Sequence, residues 1–180
     1  MHYAKLDDIY ALIAREQAAF TATAANLNDA QANHRPAPDQ WTIAEIVEHI
    51  AIVNGGFVRI CYRLVKKAEA ASAPPLAGLD LNSVLLKDDG QPLPKFQAPE
   101  AVRPQGGQSL ADSLAKIEQA HADIQGAHAR LAASDCSQQT FPHPAVGPLN
   151  PYQWLIVWGE HLARHRGQIE NVKAAPGFPA

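Results

Sequence analysis

Asn150-Pro151-Tyr152-Gln153-Trp154-Leu155-Ile156-Val157-Trp158-Gly159-Glu160-His161-Leu162-Ala163-Arg164-His165 lies near the end of the 180-residue chain and reads as a helix with its own start signal. Asn150 can cap, Pro151 suits the first helical position, and Gln153 follows the cap by three. The apolar stripe then runs Trp154, Leu155, Trp158, Leu162, Ile169 and Val172, at helical spacing, until Pro176-Gly177 stops it. Two positions inside that stripe, where leucine would be expected, are His161 and His165.

Working back along the chain, the prolines mark where other helices can run. Fourteen are present, and none lies in 1–35, 39–73, 105–141 or 152–175. An interior proline costs a helix roughly 3 kcal/mol, so these four stretches are the places where long helices are possible. An all-β chain would scatter its proline and glycine more evenly. Leu6, Ile9, Ile13, Phe20 and Leu27 form one face and predict a first helix from about Leu6 to about Ala32, with Asp7 and Asp8 suited to its positive end. Thr42-Ile43-Ala44-Glu45 is a capping-box sequence, and Ile43, Ile46, Val47, Ile50 and Val53 make the second stripe, to about Ala70. Gly55-Gly56 could bend that helix. Ser109-Leu110-Ala111-Asp112 opens the third, whose stripe continues through Ile117, His121, Ile124 and His128 to Leu131.

Four amphipathic helices need one another to bury their stripes, so the expected fold is all-α, a four-helix bundle. One domain spans 1–175, with 176–180 as a tail. Residues 72–107, holding six prolines and four glycines, form a long loop between the second and third helices, a candidate lid or binding loop. This link allows a crossover, so a simple up-down-up-down order is not required.

Composition excludes several classes. Fifteen Lys+Arg against eighteen Asp+Glu give a net charge of −3, which argues against a nucleic-acid or anionic-membrane binder. No apolar run approaches a membrane span, and the first residues lack a secretory apolar core. Cys61 and Cys136 make neither a disulfide framework nor a Cys-x-x-Cys site. The expectation is a cytoplasmic protein with no nucleic-acid or membrane partner.

The chemistry lies with histidine. His161 and His165, four apart, project from one side of the fourth helix one turn apart. His49 lies on the inner side of the second helix, beside Ile46 and Ile50. Three neutral imidazoles with an open fourth position describe a catalytic type of divalent-metal site. Gly159 and Gly167 bracket the pair and permit close helix approach. Residue spacing alone leaves a second reading open, in which the same histidines are buried and hydrogen-bonded without a metal.

The segment Trp41-Thr42-Ile43-Ala44-Glu45-Ile46-Val47-Glu48-His49-Ile50 resembles the DinB/YfiT-like family of metal-dependent enzymes, in which a tryptophan and a hydroxyl residue precede the helix with the first metal histidine. His143-Pro144-Ala145-Val146-Gly147-Pro148-Leu149, followed by Trp154 and by His161 to Ile169, is similar to the family's C-terminal signature. The resemblance implies a four-helix bundle holding one divalent metal on His49, His161 and His165. Zinc or nickel suits an all-imidazole shell best, with iron and manganese as alternatives. It also implies a small-molecule substrate, with a low-molecular-weight thiol as co-substrate in some relatives, and a homodimer. A thiol-dependent S-transferase is the leading expectation. A metal-dependent hydrolase and a non-catalytic metal- or small-molecule-binding stress protein are the alternatives.

Other polar residues have simpler expectations. Glu118-Gln119-Ala120-His121 matches a di-iron Glu-x-x-His motif, but no second copy exists. His121 and His128 are expected to make core or rim hydrogen bonds. Leu162 stands where a zinc protease has its glutamate, and Glu160 faces elsewhere. Glu48 is expected to face solvent, Gln168 to orient a ligand or lie at a boundary, and His143 to sit on a loop or at the site mouth. Arg164 and Arg166 suggest a solvated face, and Trp154 and Trp158 core or dimer interface.

Overall fold

The four proline-free stretches are helical in the computed structural model, which describes residues 1–86, 91, 94 and 97–180. In chain order the elements are β1 (His2–Tyr3), α1 (Leu6–Ala24), α2 (Asp29–Ala32), α3 (Ile43–Ala70), β2 (Leu81–Asn82), a 3-10 turn (Glu100–Val102), α4 (Leu110–Gly126), α5 (His128–Ala133), β3 (Phe141–His143), β4 (Gly147–Leu149) and α6 (Pro151–Lys173). The two site-bearing helices start where their caps place them. Thr42 Oγ1 accepts from the Glu45 amide at 3.2 Å, and Glu45 returns a carboxylate to the Thr42 amide at 2.8 Å. Asn150 and Gln153 make the same reciprocal pair at 3.0 Å each way. Each box satisfies two amide groups that a helix end otherwise leaves unpaired.

The four-helix bundle is closed by α1 against α6, α6 against α3, α3 against α4, and a lighter contact of α4 with α1. The first two long helices, α1 and α3, therefore lie across the bundle from each other. The core between them is continuous. Ile9, Ile13, Phe20, Ile46, Val47, Ile50, Ile117, Ile124, Leu155, Trp158 and Leu162 are all fully buried. Trp154 and Trp158 belong to this core. No helix among the described residues is long and apolar enough to cross a membrane.

Two boundaries differ from the expectation. The first helix ends at Ala24, not near Ala32, because Asn26 takes a left-handed conformation (φ 58°) and Asn28 caps a separate turn, α2. Asparagine tolerates that conformation better than most residues. The third helix breaks at Ala127 into α4 and α5. Gly55-Gly56 leaves α3 unbroken over 28 residues.

The long link carries short structure: β2 pairs antiparallel with β1, and the 3-10 turn follows before α4. Part of the loop expectation, at 87–90, 92–93 and 95–96, lies outside the described residues. A second antiparallel pair, β3 with β4, forms a hairpin before α6, where the sequence suggests only a loop.

Gly159 fixes how closely α6 approaches α1. A Cβ placed there would lie 2.5 Å from Leu12 Cγ and 2.6 Å from Leu12 Cδ2, so either the Leu12 side chain or one of the helices must shift. Gly159→Ala is expected to destabilise the protein by about 1–3 kcal/mol through overpacking. The denaturant midpoint should fall at unchanged slope. An unchanged midpoint would show that Leu12 moves aside freely.

Candidate metal centre

Helix α3 contributes His49 and helix α6 contributes His161 and His165. The stripes that bury these helices against each other also turn the three imidazoles to one point. His161 Nε2 lies 3.0 Å from His165 Nε2 and 3.5 Å from His49 Nε2, and one ring nitrogen from each residue falls within 4.8 Å of the others. No other group of three such side chains among the described residues converges in this way. Donors of one tetrahedral ion with bonds of ~2.0–2.1 Å stand about 3.3 Å apart, so the spacing suits a single small cation.

The opposite ring nitrogens decide which proton each ring carries. His49 Nδ1 is 2.6 Å from the Val102 carbonyl, which can only accept, so Nδ1 holds the hydrogen and Nε2 keeps its lone pair. His165 Nδ1 donates to Gln168 Oε1 at 2.9 Å, with the same result. His161 Nδ1 is buried without a partner among the described residues. Carbonyl and amide partners of this kind orient imidazole ligands in metal sites.

All three rings are held neutral. Burial lowers His49, against an opposing pull from the Val102 carbonyl. Burial, then the neighbouring His49, brings His165 down to about 3. Burial, followed by His165 and His49, puts His161 well below the ordinary range. A proton on any one ring would sit in a poorly solvated place beside two others. The cluster is thus a set of lone pairs available across the physiological range, as a cation requires.

The three histidines lie on the wall of a cleft of about 1570 Å³. Trp41, Phe57 and Trp154 supply apolar surface near them, with ring centroids 5.0 Å apart for Trp41–His49 and 6.3 Å for Phe57–His161. Arg59, Arg103 and Arg164 also line the cleft. His143, half-buried against Trp154 at 5.2 Å, is at this mouth and not on a remote loop.

One glutamate departs from expectation, and a second shares its kind of environment. Glu48 is not solvent-facing: it is only 3% exposed, and its two oxygens accept from the successive amides of Gln105 (3.1 Å) and Gly106 (3.0 Å). Glu160 is also buried, and its Oε2 accepts from Val84 (3.1 Å) and Leu85 (2.7 Å). Each glutamate immediately precedes a site histidine. Their backbone partners lie in the long link, far away in sequence, and no side-chain pattern announces them.

The remaining histidines serve elsewhere. His128 bonds Asp7 at 2.7 Å and packs edge-on against Tyr10, and His121 bonds Gln125 on its own helix. Glu118 is exposed, so the Glu-x-x-His motif of α4 has no convergent partner. Arg166 is more than a solvated charge, since it bonds Glu170 at 3.0 Å and approaches Glu16 at 3.8 Å.

A buried bundle site of this kind defines a class, and the sequence comparison assigns the family. The chain belongs to the DinB superfamily, whose model matches residues 12–169. It is 24% identical over 154 residues to the uncharacterized protein YuaE of Bacillus subtilis, covering 82% of this chain and 86% of that one. Among solved structures it is similar to the four-helix bundle protein TT2238, with 22% identity and a TM-score of 0.62 over 93% of this chain and 99% of that one. It is also similar to YfiT of Bacillus subtilis, described as a probable metal-dependent hydrolase with an unusual four-helix bundle topology. That likeness has 14% identity and a TM-score of 0.61, over 97% of this chain and 89% of that one.

Proposed function

We propose that this protein is a metal-dependent enzyme in which His49, His161 and His165 hold one divalent cation, and that it is a thiol-dependent transferase. The observation that carries the metal reading is the convergence of three neutral imidazoles whose outer nitrogens are occupied or buried. Zinc or nickel is the preferred ion for three nitrogen donors. When bound, the cation supplies Lewis acidity, which makes a thiol or a water molecule easier to deprotonate.

The chain itself does the rest. Val102 and Gln168 hold two ligand rings in orientation. Phe57 and Trp154 give an organic substrate an apolar wall, and Arg59 and Arg164 place positive charge in the same cleft. In the transfer, the thiol loses its proton, sulfur bonds to an electrophilic carbon, and the leaving group departs with its electron pair. Hydrolysis is the second reading, supported by the description of YfiT as a probable metal-dependent hydrolase.

Elemental analysis of the purified protein should find about one divalent ion per chain, removable by chelator. With that metal restored, a panel of cellular thiols and electrophiles should show consumption of both partners. Ester or amide cleavage without any thiol requirement would select the hydrolase reading. Failure to retain any divalent ion would refute both.

A further inference from the structure

We propose that Glu48 is a positioning residue for His49: by gripping the Gln105 and Gly106 amides it holds the Pro99–Arg103 turn so that the Val102 carbonyl meets His49 Nδ1. The inference rests on the metal reading for its purpose, though its main test needs no metal.

The geometry forms a closed loop of constraints. Glu48 and His49 are neighbours on α3, yet they point to two places on one distant segment. Glu48 takes the successive amides of Gln105 and Gly106, and His49 takes the carbonyl of Val102, three residues earlier. Two adjacent amides face one carboxylate, and directly after them the chain turns away at Gly106, whose backbone is left-handed (φ 75°). Between the two grips the chain is stiff. Pro104 fixes its own φ and restricts Arg103. The Val102 amide donates to the Pro99 carbonyl at 3.0 Å, the Arg103 amide to Glu100 at 3.1 Å, and Arg103 Nε to the Ala98 carbonyl at 2.9 Å. A displacement at 105–106 is therefore carried to Val102.

The carboxylate needs the grip as much as the grip needs it. A side chain only 3% exposed has little water to hold its charge, and the two amides replace that water. If the grip is lost, the turn keeps its internal bonds but is tied to α3 only by Val102's packing and its single bond to His49, and the His49 hydrogen can move from Nδ1 to Nε2. His49 would then present a hydrogen, and not a lone pair, to the site.

Glu160 supplies the comparison. It grips Val84 and Leu85 in the same way, at the other end of the link, and neither is among the hydrogen-bond or ring partners of His49, which are Val102, His161, His165 and Trp41 among the described residues. Its loss loosens the link without touching the Val102 contact.

The test is nitrogen-15 NMR of the His49 ring in the metal-free protein, with zinc affinity as a second readout. The native chain should show a hydrogen on Nδ1 alone. Glu48→Ala should give a mixture of both tautomers and weaken zinc binding by about 10–100-fold, the effect typical of losing a ligand's orienting partner. Gly106→Val attacks the same grip from the exposed side, since a branched residue resists positive φ, and should shift His49 in the same direction. Glu160→Ala should leave the His49 tautomer unchanged. An unchanged His49 in both folded Glu48→Ala and Gly106→Val would overturn the proposal. So would an equal shift in Glu160→Ala, which would mean general loosening. A shifted tautomer in a chain that binds no zinc at any stage would support the positioning role and reject the metal reading.

Discussion

Changing His161 and His165 together to alanine is expected to abolish stoichiometric binding of a divalent cation while leaving the bundle folded. The two rings stand one turn apart on α6 with Nε2 atoms 3.0 Å apart, so they form one face of the cluster. Structural zinc sites with four ligands contribute ~10–16 kcal/mol, or roughly 3 kcal/mol for each ligand. Each lost imidazole should then weaken binding by about two orders of magnitude, and both together by about four. His49 alone cannot hold the ion against buffer. The fold should survive because both rings line an open cleft, whereas the core is built from Ile46, Ile50, Leu155, Trp158 and Leu162. Gln168→Leu should have a smaller effect, about 10–100-fold, since it removes an orienting partner and no ligand. Titration calorimetry with zinc, alongside circular dichroism, measures both quantities. Unchanged metal content in the double variant would remove His161 and His165 from the site.

The site histidines were legible in the sequence because they interrupt apolar stripes. A histidine where leucine belongs must face inward, and spacing then says which two share a face. Capping boxes at Thr42 and Asn150 fix the start of α3 and α6, and so the height of each site histidine along its helix. What was not legible depends on backbone atoms. Every residue has a carbonyl, so nothing in the side chains singles out Val102 as the partner of His49. Glu48 differs from its expectation for a related reason, and Glu160 found the same kind of partner. On a helix surface a glutamate usually means solvent, and only the return of a distant segment turns each into a buried acceptor. The early end of α1 belongs to the same class: the apolar spacing continues to Leu27, but one left-handed backbone at Asn26 breaks it. The diagonal placement of α1 and α3 was open as well, because periodicity tells a helix which face to bury and not against which partner.

Acid should unfold the metal-free protein earlier than its carboxylates alone would cause. The ordinary imidazole takes a proton near pH 6.5 in an unfolded chain, whereas His165 in the native state resists until about 3. Between those values the unfolded state binds more protons than the native one. Stability therefore rises with pH across this window and falls as pH drops below about 6.5. The maximal slope is about 1.4 kcal/mol per pH unit for each such group. His161 and His49 shift in the same direction and add to it. Two units of acidification act through His165 alone to the extent of about 3 kcal/mol, a large part of the ~5–15 kcal/mol that holds a domain together. Burial is the largest single influence on Glu45 and works to raise it, but the bonds to Arg35 and the Thr42 amide together outweigh it and hold the carboxylate low, so Glu45 contributes only at lower pH, where an unfolded glutamate begins to protonate. The histidine source thus acts alone only in the upper part of its window, above pH ~4.5. His165→Leu should flatten the metal-free profile by up to the slope of one group from pH 6.5 down to about 3, by itself above pH ~4.5 and on top of the carboxylate limb below it. Urea midpoints measured at half-unit steps, in chelator, give both slopes. Identical slopes in the two proteins above pH 4.5 would mean that the native His165 ring takes up its proton as easily as the unfolded one, and the neutral cluster on which the metal reading depends would be lost with it.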